Sequence, residues 1–436
     1  MANNKEVREL LSCPNETLRY ILSKVPTDDL FWSAGLVCQQ LFRIAIDISP
    51  YIIIAKKRFG GEVEVMDKFR MLFQYKEIAT DIKTFSMYST KWNQPKWAAD
   101  QKDGIIVNYD PTGMQMPAAT IVNMLARNCP DMIKLALYFN YYGGNLEIIQ
   151  TMELVSTTWP QLKQLSFSIS YCREGKFSMD EGKTLAKWIG NLKALQAFQI
   201  EDYGAVFLCD NECVSILTEH MTKLEEVYIS FLGSAWKDNY GVLRSITEKS
   251  PNLETLGLYN CHPVKITEVA VTRRQKLTHL MLQYDRISGV ELINIGNFKN
   301  LRNLELTRIT IDVLDDAKVK DSIKSILTGC SSLKCLSLNQ IRLLGVSAMH
   351  LFLEAIANYS NSLVTLKVGC SITGWYDDDE EAIMKEIQSN LKSILKGCNS
   401  LKQLVYGPCN KDIIKELKDD LSSEEYSKLV QKKFCV

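Results

Sequence analysis

An apolar pattern of the form Leu-x-x-Leu-x-Leu recurs along most of the chain, with other apolar residues substituting at its three positions. The ten copies begin at Met132, Leu162, Leu195, Leu224, Leu253, Leu277, Leu301, Leu333, Leu363 and Leu401. Within each copy the fourth and sixth positions are apolar and their neighbours mostly are not, which is the period of a strand with one buried face. The pattern therefore predicts ten short strands, and a further candidate copy starts at Ile82.

Stretches with helical spacing precede most of these strands, for example in 120–126, 322–327 and 390–395. Successive copies start 24 to 38 residues apart, so each unit has room for one strand and one helix. One such unit cannot cover its own apolar face, and neighbouring units must therefore stack. The predicted fold class is α/β, a right-handed solenoid with parallel strands on its concave side and helices on its convex side.

Cysteines mark the bends of the repeat. Cys129, Cys330 or Cys398 stands three residues before the first apolar position in three copies, and Cys261 and Cys409 follow eight residues after that position in two. A small residue suits a tight corner between a helix and a strand. From about residue 80 to 410 the array resembles the cysteine-containing type of leucine-rich repeat.

Residues 8–59 do not follow the repeat and predict a small all-helical domain. Pro14 can open a helix, and Pro26 ends it. Apolar residues lie at helical spacing on one face of this helix: Leu18, Ile21, Leu22 and Val25. Thr27 or Asp28 can cap a second helix, which is predicted to run through Leu30, Ala34, Val37, Cys38 and Leu41.

This N-terminal segment resembles an F-box. The matching positions, in order and spacing, are Pro14, Glu16, Leu18, Ile21, Leu22, Asp29, Leu30, Val37 and Cys38. Two positions depart from the family pattern. Cys13 stands where the family has leucine before the proline, and Leu41 falls near the position where the family often has tryptophan.

The F-box resemblance implies the substrate-recognition subunit of an SCF-type cullin–RING ubiquitin ligase. In that class the F-box binds a Skp-type adaptor, and the repeats hold a protein substrate close to the ubiquitin-carrying enzyme. Such a subunit is not itself an enzyme. The residues that would bind the adaptor are Pro14, Leu18, Ile21, Leu22, Leu30, Val37, Cys38 and Leu41. Any one of them can instead belong to the core of the segment.

Substrate would lie on the concave face, which the third, fifth and seventh positions of each copy form. The candidate contacts among these positions are Tyr138, Tyr228, Tyr259, Met281 and Asn303. The alternative for the tyrosines is local packing between neighbouring strands. No Arg falls at these positions, which disfavours a phosphorylated or nucleic-acid ligand.

The chain is accordingly divided into four segments. An F-box-like helical domain spans 8–59, and a linker with the N-terminal part of the array, including the candidate copy near 82, spans 60–117. The repeats occupy 118–410, and 411–436 are expected to form a C-terminal helical cap that covers the last repeat.

Composition adds few functional signals. Lys plus Arg and Asp plus Glu number 51 each, so no net charge attracts nucleic acid or a membrane surface. No apolar run is long enough for a membrane span, and 13 scattered cysteines without a secretory signal favour the cytoplasm or nucleus. No cofactor or metal motif occurs.

Two other functions stay open, a repeat scaffold outside ubiquitin ligases and a small-GTPase regulator that would use Arg308 or Arg342.

Overall fold

Strands and helices alternate along the chain and belong to two units, Met1–Phe207 and Leu208–Val436. The boundary between them falls inside the predicted repeat array. The structure is a computed structural model. It describes residues 13–24, 41, 44, 51–55, 72–73, 82–88, 104–108, 118–139, 144–169, 177–202, 211–231, 241–261, 264–284, 286–312, 316–343, 346–347, 349–359, 362–369, 380–406 and 429–431.

The first unit contains one parallel sheet with the strand order β1-β3-β2-β4-β5-β6. Its strands are β1 (Tyr51–Ala55), β2 (Thr84–Tyr88), β3 (Gly104–Asn108), β4 (Lys134–Phe139), β5 (Gln164–Ile169) and β6 (Ala197–Asp202). Its helices are α1 (Asn15–Leu22), α2 (Ala118–Asn128), α3 (Asn145–Thr158) and α4 (Met179–Gly190). Helix α3 packs between α2 and α4, as stacked strand–helix repeats require.

In the second unit the main sheet has the order β7-β8-β9-β11-β13-β16-β17-β18 and is also parallel throughout. Its strands are β7 (Glu226–Phe231), β8 (Thr255–Tyr259), β9 (His279–Gln283), β11 (Asn303–Thr307), β13 (Cys335–Asn339), β16 (Thr365–Gly369), β17 (Gln403–Tyr406) and β18 (Leu429–Gln431). A smaller sheet contains β10 (Arg286–Ser288), β12 (Thr310–Asp312), β14 (Arg342–Leu343) and β15 (Val346–Ser347).

The helices of this unit lie between successive strands of the main sheet. They are α5 (Asn211–Thr218), α6 (Gly241–Lys249), α7 (Val271–Arg274), α8 (Gly289–Ile295), α9 (Asp316–Gly329), α10 (Met349–Tyr359) and α11 (Glu380–Gly397), with a 3₁₀ turn at Ile266–Glu268. The shortest ones, α7 and α8, belong to the two copies that are only 24 residues long. The difference in repeat length therefore falls mainly on the helical side, while the strands of the ten copies vary only from four to six residues.

The predicted strands are confirmed in position and register. Each begins two residues after the first apolar position of its copy, as with Thr255 after Leu253. Parallel pairing aligns equivalent leucines into columns, for instance Leu256, Leu280, Leu304, Leu336, Leu366 and Leu404. All six are buried, and each contributes roughly 1.5–3 kcal/mol of hydrophobic stabilisation. The fold is thus the α/β leucine-rich-repeat solenoid that the pattern predicts.

The residue three positions before each copy lies at a corner, and it is buried in every described copy but one, where Arg274 is half-buried. Its side chains vary more than the cysteines alone indicate. Trp159 and Phe298 occupy it in two copies and are fully buried. The indole Nε1–H of Trp159 donates to the carbonyl oxygen of Cys129 at 2.8 Å, and Cys129 holds the same corner one copy earlier. The thiol of Cys330 donates to the carbonyl oxygen of Ile295 at 3.2 Å. The corner therefore links adjacent repeats as well as turning the chain.

Two terminal segments differ from their predicted helical character. Residues 51–55, assigned to the all-helical N-terminal domain, form strand β1, which pairs with β3 along its whole length. The run Ile52-Ile53-Ile54 explains this, because β-branched residues favour a strand. Leu429–Gln431, assigned to the helical cap, forms β18 and pairs with β17, so it covers an edge that would otherwise expose unpaired backbone groups. Residues 407–428 and 432–436 lie outside the described residues.

None of the cysteines in the described ranges forms a disulfide. Burial raises the pKa of the Cys129 and Cys330 thiols to about 12. Because only the thiolate is nucleophilic, the reactive fraction of each falls by about three orders of magnitude from its value at the ordinary thiol pKa of 9.0. We expect iodoacetamide at pH 8 to label both residues only after unfolding in urea, as read by peptide mass spectrometry. Labelling of either in the native protein at the rate of partly exposed Cys13 would contradict their burial.

Candidate functional site

The two faces of the main sheet differ in burial in the second unit. Along β9, β11 and β13 the second and fourth residues are buried, and the first, third and fifth are half-buried. The half-buried rows form the face opposite the leucine columns, and on the same face of β7 and β8 Tyr228, Ser230 and Thr255 are buried. We call this face of strands β7 to β17 the open face. It corresponds to the predicted concave surface, and its residues are the ones a partner could contact.

The equivalent face of the first unit is buried. Every residue of β4 and β5 after the first is buried, including polar Ser166 and Ser168. Tyr138, a predicted substrate contact on β4, is only 7% exposed. Tyr138 therefore offers little surface to a partner.

The other predicted substrate contacts come together on neighbouring strands of the open face. Tyr228 on β7 is buried at 6% exposure, whereas Tyr259 on β8, Met281 on β9 and Asn303 on β11 are half-buried. The Tyr259 hydroxyl lies 3.7 Å from the sulfur of Met281 and donates to it. The structure thus brings four of the five residues together, and Tyr138 belongs to the other unit.

Gly257 makes the close packing of the tyrosines possible. A Cβ atom at this position would lie 2.5 Å from Cδ1 of Tyr228 and 3.1 Å from Cε2 of Tyr259. The Tyr228 ring consequently lies directly over the backbone of β8. The Tyr228 hydroxyl donates to Oε2 of Glu226 at 3.1 Å. This hydroxyl and the Glu226 carboxylate therefore lie beside the aromatic ring.

Negative charge concentrates around this tyrosine. Burial raises the pKa of the Tyr228 hydroxyl, and the carboxylates of Glu226 and Glu305 raise it further. Nearby His279 has a lowered pKa, mainly because of burial and in spite of Glu226 and Glu254. Its imidazole is therefore neutral at pH 7 and does not offset the two carboxylates.

A ladder of left-handed residues follows the open face. Asn260, Tyr284, Arg308 and Gln340 each occupy the eighth position of a copy, and their φ angles lie between 53° and 58°. The backbone N–H of each donates to the last strand residue of the next copy, for example from Arg308 to Asn339 at 2.7 Å. The ladder turns the chain from the main sheet towards the smaller one.

Arg308 has a fixed place in that ladder. Its guanidinium stacks on the Tyr284 ring at 4.7 Å, donates to the Tyr284 hydroxyl and donates through Nε to Gln340 Oε1 at 2.7 Å. A residue held in this way does not extend towards a bound nucleotide. The GTPase alternative would then depend on Arg342, which is exposed on β14.

The N-terminal helix α1 has one buried side and one exposed side. Pro14 stands at the N-cap and accepts from the Leu18 N–H at 3.0 Å, so the helix begins at Asn15. Leu18 and Leu22 are buried, whereas Tyr20 is 67% and Ile21 42% exposed.

The predicted adaptor residues therefore separate into two groups. Leu18, Leu22 and Leu41 are buried, whereas Pro14 and Ile21 lie on the surface. The remaining predicted contacts lie outside the described residues: Leu30, Val37 and Cys38.

No group of three or more His, Cys, Asp or Glu side chains among the described residues is arranged to hold a metal ion. Among the described helices, none combines the length and apolar character that a membrane crossing requires.

Comparison with known proteins gives similarity of structure only. No family model matches the sequence, and no curated protein matches it. Similar solved structures include a chain of the Rad7 and Elc1 complex from yeast, with 12% identity, a TM-score of 0.45, and 94% of this chain and 92% of that chain covered.

Two further similar structures come from bacteria. The leucine-rich-repeat protein LegL7 from Legionella pneumophila has 13% identity and a TM-score of 0.40, with 69% of this chain and 89% of that chain covered. An internalin, InlF, from Listeria monocytogenes has 13% identity and a TM-score of 0.35, with 73% of this chain and 94% of that chain covered.

Proposed function

We propose that the protein is the substrate-recognition subunit of an SCF-type cullin–RING ubiquitin ligase. Helix α1 and the segment that follows it bind a Skp-type adaptor, and the open face of the repeats holds a protein substrate. The subunit carries out no bond chemistry. It raises the local concentration of the substrate beside the ubiquitin-carrying enzyme. Its site of action is the cytoplasm or the nucleus.

The exposed side of α1 is the observation that carries the proposal. Large apolar side chains at a protein surface are favoured positions for partner contacts. Tyr20 and Ile21 lie at the surface on a helix that Leu18 and Leu22 anchor from the other side. Ile21 also belongs to the Ile-Leu pair of the F-box resemblance, so the pattern and the exposure agree at one residue.

Ile21→Asp tests the adaptor contact. We expect it to reduce capture of a purified Skp-type adaptor at least tenfold, because a charge replaces an apolar contact of about 2 kcal/mol. Since the side chain is 42% exposed, the free energy of unfolding should change by less than ~1 kcal/mol. Pull-down with the full chain, together with urea unfolding, measures both quantities.

Leu146→Asp is the matched control. Leu146 is also a large aliphatic residue at the surface, 63% exposed in the first turn of α3, where an acidic side chain is compatible with the helix dipole. It should bind the adaptor as the unmodified chain does. Adaptor binding that survives Ile21→Asp, or that Leu146→Asp weakens equally, would count against an F-box.

The burial of Leu18, Leu22 and Leu41 favours one alternative, a repeat scaffold in which the N-terminal helices only complete the protein's own core. On that alternative the full chain would not capture the adaptor at all. The same pull-down therefore decides between a ligase subunit and a scaffold.

A further inference from the structure

The open face carries its negative charge at one end. Glu226 on β7 and Glu305 on β11 are half-buried, and both interact electrostatically with the Tyr228 hydroxyl. Neither carboxylate forms an ion pair with another described residue. The nearest lysine on this face is Lys367 on β16, two strands beyond Glu305 and therefore about 10 Å away along the sheet. Arg302, directly before β11, interacts electrostatically with His279, but it forms no ion pair with either acid.

Aromatic and thioether groups occupy the space between the acids. Tyr228, Tyr259 and Met281 lie on β7, β8 and β9, and the buried Tyr228 ring covers the backbone at Gly257. The faces of tyrosine rings attract cations, and the attraction is strongest where water is excluded. Two carboxylates that flank such a surface complement an arginine or lysine side chain.

We propose that this end of the open face binds an extended basic segment of the partner protein, with arginine or lysine side chains directed at Glu226 and Glu305. The inference rests on the proposed function, since the partner is the protein held for ubiquitin transfer. The occupant follows from charge complementarity. An acidic segment would meet two like charges, and an apolar one would leave both carboxylates partly desolvated and unpaired.

The geometry also sets a spacing for the basic residues. Glu226 and Glu305 are three strands apart and offset by two residues along the strand direction, which gives about 16 Å at ~4.8 Å per strand and ~3.3 Å per residue. An extended segment that runs from one to the other advances ~3.3 Å per residue, so basic residues about five positions apart would reach both carboxylates. A run of consecutive arginines satisfies this spacing and is therefore a suitable probe.

The test measures binding of fluorescein-labelled hexa-arginine to the full chain by fluorescence polarisation at low and physiological salt. Glu226→Gln together with Glu305→Gln should weaken binding at least tenfold at low salt. Glu219→Gln together with Glu248→Gln removes the same charge from exposed carboxylates outside the open face and should weaken it less than twofold. Hexa-glutamate should bind at least tenfold more weakly than hexa-arginine.

Equal losses in the two double variants would mean that hexa-arginine responds only to total charge, and would overturn the site. So would unchanged binding after substitution of Glu226 and Glu305, or equal binding of hexa-glutamate. The Ile21→Asp variant should bind hexa-arginine normally, and the Glu226 and Glu305 variant should still capture the adaptor. Loss of the adaptor interaction alone would therefore refute the ligase role without refuting this surface.

Discussion

Trp159→Ala is expected to lower the free energy of unfolding of the first unit by about 4 kcal/mol. Trp159 is fully buried at the corner between α3 and β5, and removing a large aromatic side chain from a core typically costs 3–5 kcal/mol. The loss includes the hydrogen bond from its indole to the carbonyl oxygen of Cys129, which links two successive repeats. Urea unfolding followed by far-UV circular dichroism measures the change.

Two variants separate volume from hydrogen bonding. Trp159→Phe keeps much of the buried volume but leaves the Cys129 carbonyl without this donor, so we expect a loss of about 1–2 kcal/mol. Trp188→Ala on α4 removes the same side chain from a half-buried position and should cost clearly less than Trp159→Ala. Equal effects of the two alanine variants would show that the corner is not a special packing position.

Gly329→Ala is expected to destabilise the second unit by about 3 kcal/mol. A Cβ atom at Gly329 would lie 2.2 Å from the carbonyl oxygen of Gly296 and 2.8 Å from its carbonyl carbon. These are backbone atoms, so the contact cannot be relieved by a side-chain rotation, and α8 and α9 would have to move apart. Overpacking of this kind typically costs 1–3 kcal/mol, and rigid backbone neighbours place it at the upper end.

Gly397→Ala is the matched control for that clash. Gly329 precedes Cys330 and Gly397 precedes Cys398, and each is the last residue of its helix. No atom outside its immediate neighbours would lie within 4 Å of a Cβ at Gly397. Alanine there should leave stability unchanged or raise it by up to ~1 kcal/mol, because it restricts the unfolded chain. Thermal unfolding that falls equally in both variants would contradict the close approach of α8 and α9.

The sequence does not tell which of the predicted binding residues are accessible, and the N-terminal helix illustrates why. Helical spacing groups Leu18, Ile21 and Leu22 on one apolar face, but spacing alone does not say what covers that face. The structure buries Leu18 and Leu22 and exposes Ile21. The same limit applies to Tyr138 and Tyr228, which occupy outward positions by sequence and are buried in the structure.

The left-handed ladder had no signal in the residue types. Asn260, Tyr284, Arg308 and Gln340 share no chemistry, and only asparagine among them commonly adopts a positive φ. Their common feature is the eighth position of the copy, which the hydrophobic pattern leaves unspecified. Hydrogen bonds to the following repeat hold that backbone conformation, so it exists only once the repeats have stacked.

By itself the sequence determined where the strands lie and which side of each is buried, because alternating leucines can satisfy only one register in a parallel sheet. Tertiary structure decided how the sheet edges are completed, since β1 pairs with β3 and not with β2, the next strand in sequence, and β18 adds a strand beside β17. It also decided which outward residues stay accessible. The accessibility of an outward residue depends on the size of the side chains on the adjacent strands. Because Gly257 has no side chain, the Tyr228 ring lies over the backbone of β8 and is buried.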